Sequence, residues 1–217
     1  MRKVGKMSIR KINGEDRVMI FLDLANVKYG LEEHNDLENC LIDHLELANT
    51  LVDDRIVTGA MVFDTRLYFS RNPGERDYFS DIGYRVIKGH FADDKQKEVD
   101  VSIAVEMLMH AVNDHYDVAV LISGDRDFIP AIRAVQNLGK KVEVAAFRNN
   151  ASDDIIDIVD TFTDLSKIPM VDYYPPKDNH AGVFVDSYSV AEFDSDVGFR
   201  SLEDILNETE NSTEVAE

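Results

Sequence analysis

The stretch Asp117-Val118-Ala119-Val120-Leu121-Ile122-Ser123-Gly124-Asp125-Arg126-Asp127-Phe128-Ile129-Pro130 decides the fold. Apart from the leading Asp117, its first six residues are continuous, apolar and largely β-branched, the composition of a parallel strand covered on both faces. From Phe128 the apolar residues recur at helical spacing, with Pro130 in the first turn, where a missing N–H costs nothing. Asp125 and Asp127 therefore stand between the carboxyl end of a strand and the amino end of a helix. In α/β sheets that rim is where ligands bind. One Asp there is accounted for by helix capping. Two within one turn exceed what a single N-cap needs, and carboxylates so placed can hold a hard divalent cation that in turn holds phosphate.

Outward from this unit, strands alternate with helices. Val18–Leu22 is a buried strand ending on Asp23. Leu37, Leu41, Leu45 and Ala48 predict a helix from about Asp36 to Val52, carrying Cys40 as a small buried hydrophobe. Val57–Phe63 is a second strand. Arg71–Glu75 is turn chemistry, leading to a short helix near Arg76–Ile82 that closes on Gly83. Tyr84–Lys88 is a third strand, and Val99–Val112 an apolar helix. Lys141–Phe147 is a fifth strand after the one at 117–122, and Ser152 caps a last helix over about Asp153–Asp160. Such alternation predicts a parallel sheet with right-handed crossovers and helices on both faces. Residues 1–16 read as a flexible basic arm. From 170 onward the hydrophobic pattern fades into an acidic, largely irregular tail, in which only Ser201–Leu206 has an amphipathic turn.

The 217 residues are 44% hydrophobic and 30% charged, as in a soluble domain large enough for a real core. A single cysteine excludes an internal disulfide framework and a cysteine-rich zinc site. No stretch approaches a membrane span or the apolar core of a signal peptide, so the expected location is the cytoplasm, with no membrane partner. The net charge is −19. Residues 1–17 carry six Lys/Arg against two Asp/Glu, whereas residues 170–217 carry two against twelve. An acidic body is poor at holding nucleic acid by charge alone. The glycines form neither a Walker A sequence nor a dinucleotide fingerprint. Asp23-Leu24-Ala25 lacks the second Asp of a haloacid-dehalogenase-type phosphatase. The six histidines show no metal-ligand spacing, and only His90 lies near the expected rim. Gly30 and Gly124 read as backbone devices rather than phosphate cradles.

Three places hold acids that a core pattern does not call for. Asp23 follows five apolar residues and precedes Asn26, close enough to orient its carboxylate or a water; turn formation by both is the alternative. Asp100 stands at the start of the apolar helix, where the helix dipole favours an acid in any case. Glu98 is a lesser substitute, and Glu106 is expected at a solvated edge. The third place is the Asp125/Asp127 pair. With the first and fourth strands as neighbours, Asp23 and Asp125 end side by side. Four carboxylates without cysteine or clustered histidine suit Mg²⁺ or Mn²⁺ better than zinc.

Phe-Leu-Asp-Leu-Ala-Asn at 21–26, Val-Asp-Val-Ser-Ile-Ala-Val-Glu-Met-Leu at 99–108 and Ile-Ser-Gly-Asp-Arg-Asp-Phe-Ile-Pro at 122–130 together resemble the NYN domain, one of the PIN-like metal-dependent ribonucleases. Leu138–Val144 is similar to its Leu-Gly-Lys-Lys/Arg-Val segment, and Ser152–Leu165 to its closing helix. The likeness runs over residues 17–166; relatives commonly have Lys-Gly where this chain has Lys97-Glu98. It implies a PIN-like, Rossmann-like three-layer α/β domain over 17–169, with a five-stranded parallel sheet in the order 3-2-1-4-5. It also implies an acidic metal site of Asp23, Asp100, Asp125 and Asp127, with Asn26 alongside.

The function expected is Mg²⁺- or Mn²⁺-dependent hydrolysis of single-stranded RNA, internally in the strand. Lys28, Arg66, Lys88, Lys95, Lys97, Arg126 and Ser123 are the candidates to hold substrate. The alternative is a non-catalytic adaptor of the same fold acting through protein contacts. A homo-oligomer, and an acidic tail that engages a basic partner or the domain itself, complete the expected partners.

Overall fold

The computed structural model describes residues 16–34, 37, 40–89, 96–168 and 170–172, with 96, 97 and 170–172 described by backbone alone. The basic arm up to residue 15, His90, Lys95, the side chain of Lys97 and the tail from 173 lie outside the described residues. At the centre runs β1 (Arg17–Asp23), buried from Val18 onward. Its side chains alternate between two cores. Val18, Ile20 and Leu22 join one apolar cluster, and Met19 and Phe21 the other.

Around β1 lie β3 (Ile56–Asp64), β4 (Arg85–Lys88), β5 (Val118–Ile122), β6 (Lys141–Ala146) and β7 (Thr161–Asp164). The sheet order is β4-β3-β1-β5-β6-β7, with every pair parallel. The α/β class and the order of the five expected strands stand; the sheet has a sixth, β7, at the edge. The helix expected over 153–160 ends early, as α7 (Asp153–Ile156). The Asp160 carboxylate accepts the Val142 N–H at 2.8 Å and starts the chain along β6. Thr161-Phe162-Thr163 then has strand-forming composition.

One face is covered by α1 (Leu24–Glu32), α2 (His44–Val52), α3 (Arg66–Arg71) and α4 (Pro73–Asp81), which contribute Leu24, Val27, Leu47, Leu51, Phe69 and Phe79 to the first cluster. The other face is covered by α5 (Gln96–Val112), α6 (Ile129–Asn137) and α7, through Val99, Ile103, Met107, Ile132, Val135 and Ile155. Two short strands, β2 (Cys40–Ile42) and β8 (Met170–Asp172), pair apart from the main sheet. The helix expected over 36–52 is therefore split. Cys40 opens a strand instead of riding a helix, and Asp43 starts α2 by accepting the Leu45 and Glu46 N–H groups, each at 3.0 Å. α4 closes ahead of Gly83 (φ 100°), as expected, but begins at Pro73. α1 and α3 were not expected. No helix among the described residues is long and apolar enough to cross a membrane.

Candidate functional site

Because β3, β1 and β5 are adjacent and parallel, their carboxyl ends share one rim: β3 ends on Asp64, β1 on Asp23, and β5 is followed at once by Ser123. Leu22 pairs with Ile122, so Asp23 and Ser123 are the next residues on neighbouring strands. The Ser123 hydroxyl, fully buried, donates to Asp23 Oδ2 at 3.0 Å. The other Asp23 oxygen accepts the Asn26 N–H at 3.2 Å, which makes Asp23 the N-cap of α1. The capping and ligand readings of Asp23 are thus compatible: its carboxylate starts a helix and lines the pocket.

Asn26 does not touch Asp23 through its side chain. Its amide oxygen accepts the Gly124 N–H at 3.0 Å and fastens the loop after β5 to the start of α1. Ser123 Oγ accepts the Asp125 N–H at 3.3 Å, and Asp125 Oδ1 accepts the Asp127 N–H at 2.9 Å. Gly124 is required by close approach. A Cβ there would lie 2.7 Å from the Asn150 carbonyl oxygen and 2.9 Å from Ala151 Cα, both backbone atoms. Gly30 likewise leaves space for the Phe147 ring, 2.8 Å from where its Cβ would be.

α5 begins three residues earlier than its apolar pattern suggests, so Asp100 sits in the second turn rather than the first. From there it faces the same rim. Asp23, Ala25, Asn26, Tyr29, Asp64, Thr65, Val99, Asp100 and Asp125 line one pocket of about 210 Å³. Asp127 is exposed and outside this lining, yet near enough for its charge to act on Asp100.

Asp64 is the acid that sequence reasoning missed. It ends β3 as Asp23 ends β1, is as buried (4% and 5% exposed), and accepts the Thr65 N–H at 2.5 Å. Phe63-Asp64-Thr65 after a run of apolar residues repeats the pattern that singled out Asp23. Burial pushes the Asp23 carboxyl up to about 6, against the opposing bonds from Asn26 and Ser123. Burial likewise raises Asp64 to about 6. Asp100 also rises to about 6, through burial and then the charges of Asp23, Asp125 and Asp127.

A cluster of oxygen donors that resists its own ionisation fits a hard divalent cation. Among the described residues, however, no three His, Cys, Asp or Glu side chains stand close enough together to ligate one ion. That spacing fits a cation held by one or two carboxylates that keeps several waters, as Mg²⁺ does.

The expected substrate-holding residues divide. Lys28 is not a free cation: its Nζ lies 2.7 Å from Glu75 Oε1, donates to the Tyr68 hydroxyl and sits over the Tyr68 ring. Arg66 begins α3 directly after Thr65, and Lys88 pairs in register with Asp64 at the end of β4. Both are exposed, with no ion pair among the described residues. Arg126 is exposed and faces Asp154 at 3.5 Å. Glu106, expected in solvent, pairs instead with Arg85 at 2.9 Å and His110 at 3.2 Å. A larger cavity of about 340 Å³ lies elsewhere, but its Arg55 and Glu143 hold each other in a two-pronged ion pair.

The sequence profile of the NYN domain matches residues 17–166. A crystal structure of a protein of unknown function from Vibrio parahaemolyticus matches with a TM-score of 0.65 at 19% identity, covering 75% of this chain and 100% of that one. At that identity the likeness shows the shared fold. No curated protein matches the chain.

Proposed function

The chain belongs to the NYN-domain family of the PIN-like nuclease superfamily, and from that premise we propose that it is a Mg²⁺- or Mn²⁺-dependent ribonuclease that cleaves single-stranded RNA internally. The observation that carries this is the convergence of Asp23, Asp64, Asp100 and Asp125 on one pocket at the carboxyl rim of the sheet. One or two of Asp23, Asp100 and Asp125 would hold the cation among its waters, with the others and Asp127 adding charge around it. When bound, the cation supplies charge neutralisation at a phosphodiester and a water of lowered pKa. Ser123 fixes the Asp23 carboxylate, and Asn26 fixes the loop that carries Asp125 and Asp127, so these donors meet the reaction already oriented. Asp64, held only through Thr65, would orient a water in the same pocket. Arg66 and Lys88 stand where a phosphate backbone would cross the rim.

The test is cleavage of a panel of single-stranded and duplex RNAs and DNAs with Mn²⁺, Mg²⁺ or EDTA. Ion-dependent internal cuts in single-stranded RNA are expected. Asp23→Asn, Asp100→Asn and Asp125→Asn should each lower kcat strongly. Their combined loss should fall well short of the product of single losses, because groups that share one ion act as a unit. Asp81→Asn, exposed at the end of α4, is the neutral control. No cleavage by the wild type across the panel would leave the adaptor function in its place.

A further inference from the structure

Tyr29 stands on the wall of the acidic pocket and is 54% exposed, although Val27 and Gly30 beside it are buried. It lies four residues after Ala25 and three after Asn26, so all three fall on the side of α1 that lines the pocket. Ala25 is small and leaves the ring uncovered from that side. One turn further on, Glu33 Oε1 accepts the Tyr29 hydroxyl at 2.6 Å. The ring is thus tethered at its tip while its flank stays open to solvent. A lone exposed aromatic is ordinary on a protein surface. A tethered one on the wall of a carboxylate pocket is not explained by packing.

We infer that the Tyr29 ring is a stacking platform for an unpaired base of the nucleotide next to the phosphate held in the pocket. This rests on the ribonuclease reading and narrows its substrate class to single strands with splayed bases. The charges select the ligand part. Glu33 on one side and Asp23 and Asp125 on the other repel a phosphate from the ring, whereas a neutral base face meets no such penalty. Stacking on aromatic rings is how proteins hold unpaired bases without reading their sequence. A duplex keeps its bases stacked on each other and has no face to offer. Thr65 lines the same pocket, and the exposed Arg66 that follows it offers the backbone a cation apart from the ring.

The experiment uses the full chain carrying Asp100→Asn to stop turnover, and a short oligouridylate with one 2-aminopurine, whose fluorescence is quenched by stacking. With Mn²⁺ present, this protein and its Tyr29→Phe form should quench the probe and bind it alike. Tyr29→Ala and Tyr29→Leu should lose the quenching and bind about five- to a hundredfold more weakly. Leu keeps the apolar bulk, so it separates a missing ring from a missing side chain and serves if the Ala form does not fold. Replacing the probe base with an abasic site should erase the difference between Tyr and Leu. Equal quenching and affinity for Tyr and Leu, or no binding of the probe by the Tyr29 protein, would overturn the inference. Cleavage by the wild type separates the two claims: active wild type with Leu-insensitive binding sinks only the base platform. Inactive wild type with Leu-sensitive quenching sinks only the hydrolysis.

Discussion

Asp64 and Asp23 are equally buried, yet hydrogen bonds from two residues hold the Asp23 carboxylate and Thr65 alone holds that of Asp64. Both carboxyls titrate near 6 rather than 3.8. A carboxyl whose folded pKa is raised favours folding most below its unfolded pKa, and that contribution is lost as pH rises through 6. At pH 7.5 without a cation, both are therefore ionised at a cost to the fold. Asp64→Asn removes one such charge and keeps an oxygen for the Thr65 N–H. In EDTA at pH 7.5 the variant should be more stable than wild type by about 1–3 kcal/mol. The gain should shrink towards pH 5, where the wild-type carboxyl takes up its proton. His44 works in the opposite sense, since burial pushes it down to about 3 and its contribution is lost as pH falls below 6.5. It is common to both proteins and cancels in their difference. Saturating Mn²⁺ should raise the wild-type melting temperature more than that of the variant. Denaturant melts at the two pH values, with and without Mn²⁺, check this; a variant less stable than wild type in EDTA at pH 7.5 contradicts it. Part of this pocket was legible in the residues: Asp23, Asp100 and Asp125 are acids that an apolar core does not call for, and all three line it. Ser123, expected to hold substrate, is instead fully buried with its hydroxyl spent on Asp23. Asp64 carries the same mark as Asp23, but the apolar run Val57–Phe63 stops one residue short of it, whereas β3 continues onto it. The engagement of Lys28 by Glu75 was not legible, since partners 47 residues apart in sequence meet only through the fold.

At the level of elements, the buried strands were legible because parallel strands covered on both faces are written as unbroken apolar runs. α1 and α3 were not, because helices of nine and six residues give too little periodicity. Capping residues mark their starts instead: Asp23 for α1 and Thr65 for α3, as Asp43 does for α2. α5 shows the limit of the apolar pattern from the other side. Val99, Ile103, Met107 and Ala111 form its buried stripe, while Val101, Val105, Met109 and Val112 are 51–65% exposed. A helix apolar all round reads as covered all round; among the described residues, nothing covers this outer stripe. The two faces should answer mutation very differently. Ile103→Ala, from a fully buried site, should cost about 2–5 kcal/mol. Val105→Ala removes methyl groups already in water and should stay within about 0.5 kcal/mol. Chemical denaturation of both at one protein concentration checks the contrast. A Val105→Ala cost approaching that of Ile103→Ala would mean that the outer stripe is covered in solution.

For the whole molecule, the governing fact is a net charge of −19 on a chain proposed to hold RNA. A nucleic-acid binder usually gains affinity by releasing counterions from phosphates that its Lys and Arg neutralise. Here Lys28 is engaged by Glu75, which leaves Arg66, Lys88 and Arg126 exposed around the pocket among the described residues. About three phosphate contacts give a slope of about −2 in log affinity against log salt for a single strand. From 50 to 200 mM KCl at fixed Mn²⁺, affinity should therefore fall by about twentyfold at most, against about 10³–10⁵ for a binder with six to ten contacts. Repulsion between the acidic body and RNA acts over a longer range. It is strongest near 10 mM salt, where the screening length is about 30 Å, and nearly gone at 0.15 M, where it is about 8 Å. The salt curve should thus bend, flat or even rising at the low end and falling gently beyond. Arg66→Gln should flatten the falling limb by about 0.7 in slope, one contact's share. Fluorescence anisotropy of a labelled oligouridylate on the Asp100→Asn protein measures both. A steep linear fall from 10 mM upward would mean that a basic surface outside the described residues, not the acidic pocket and its few cations, holds the RNA.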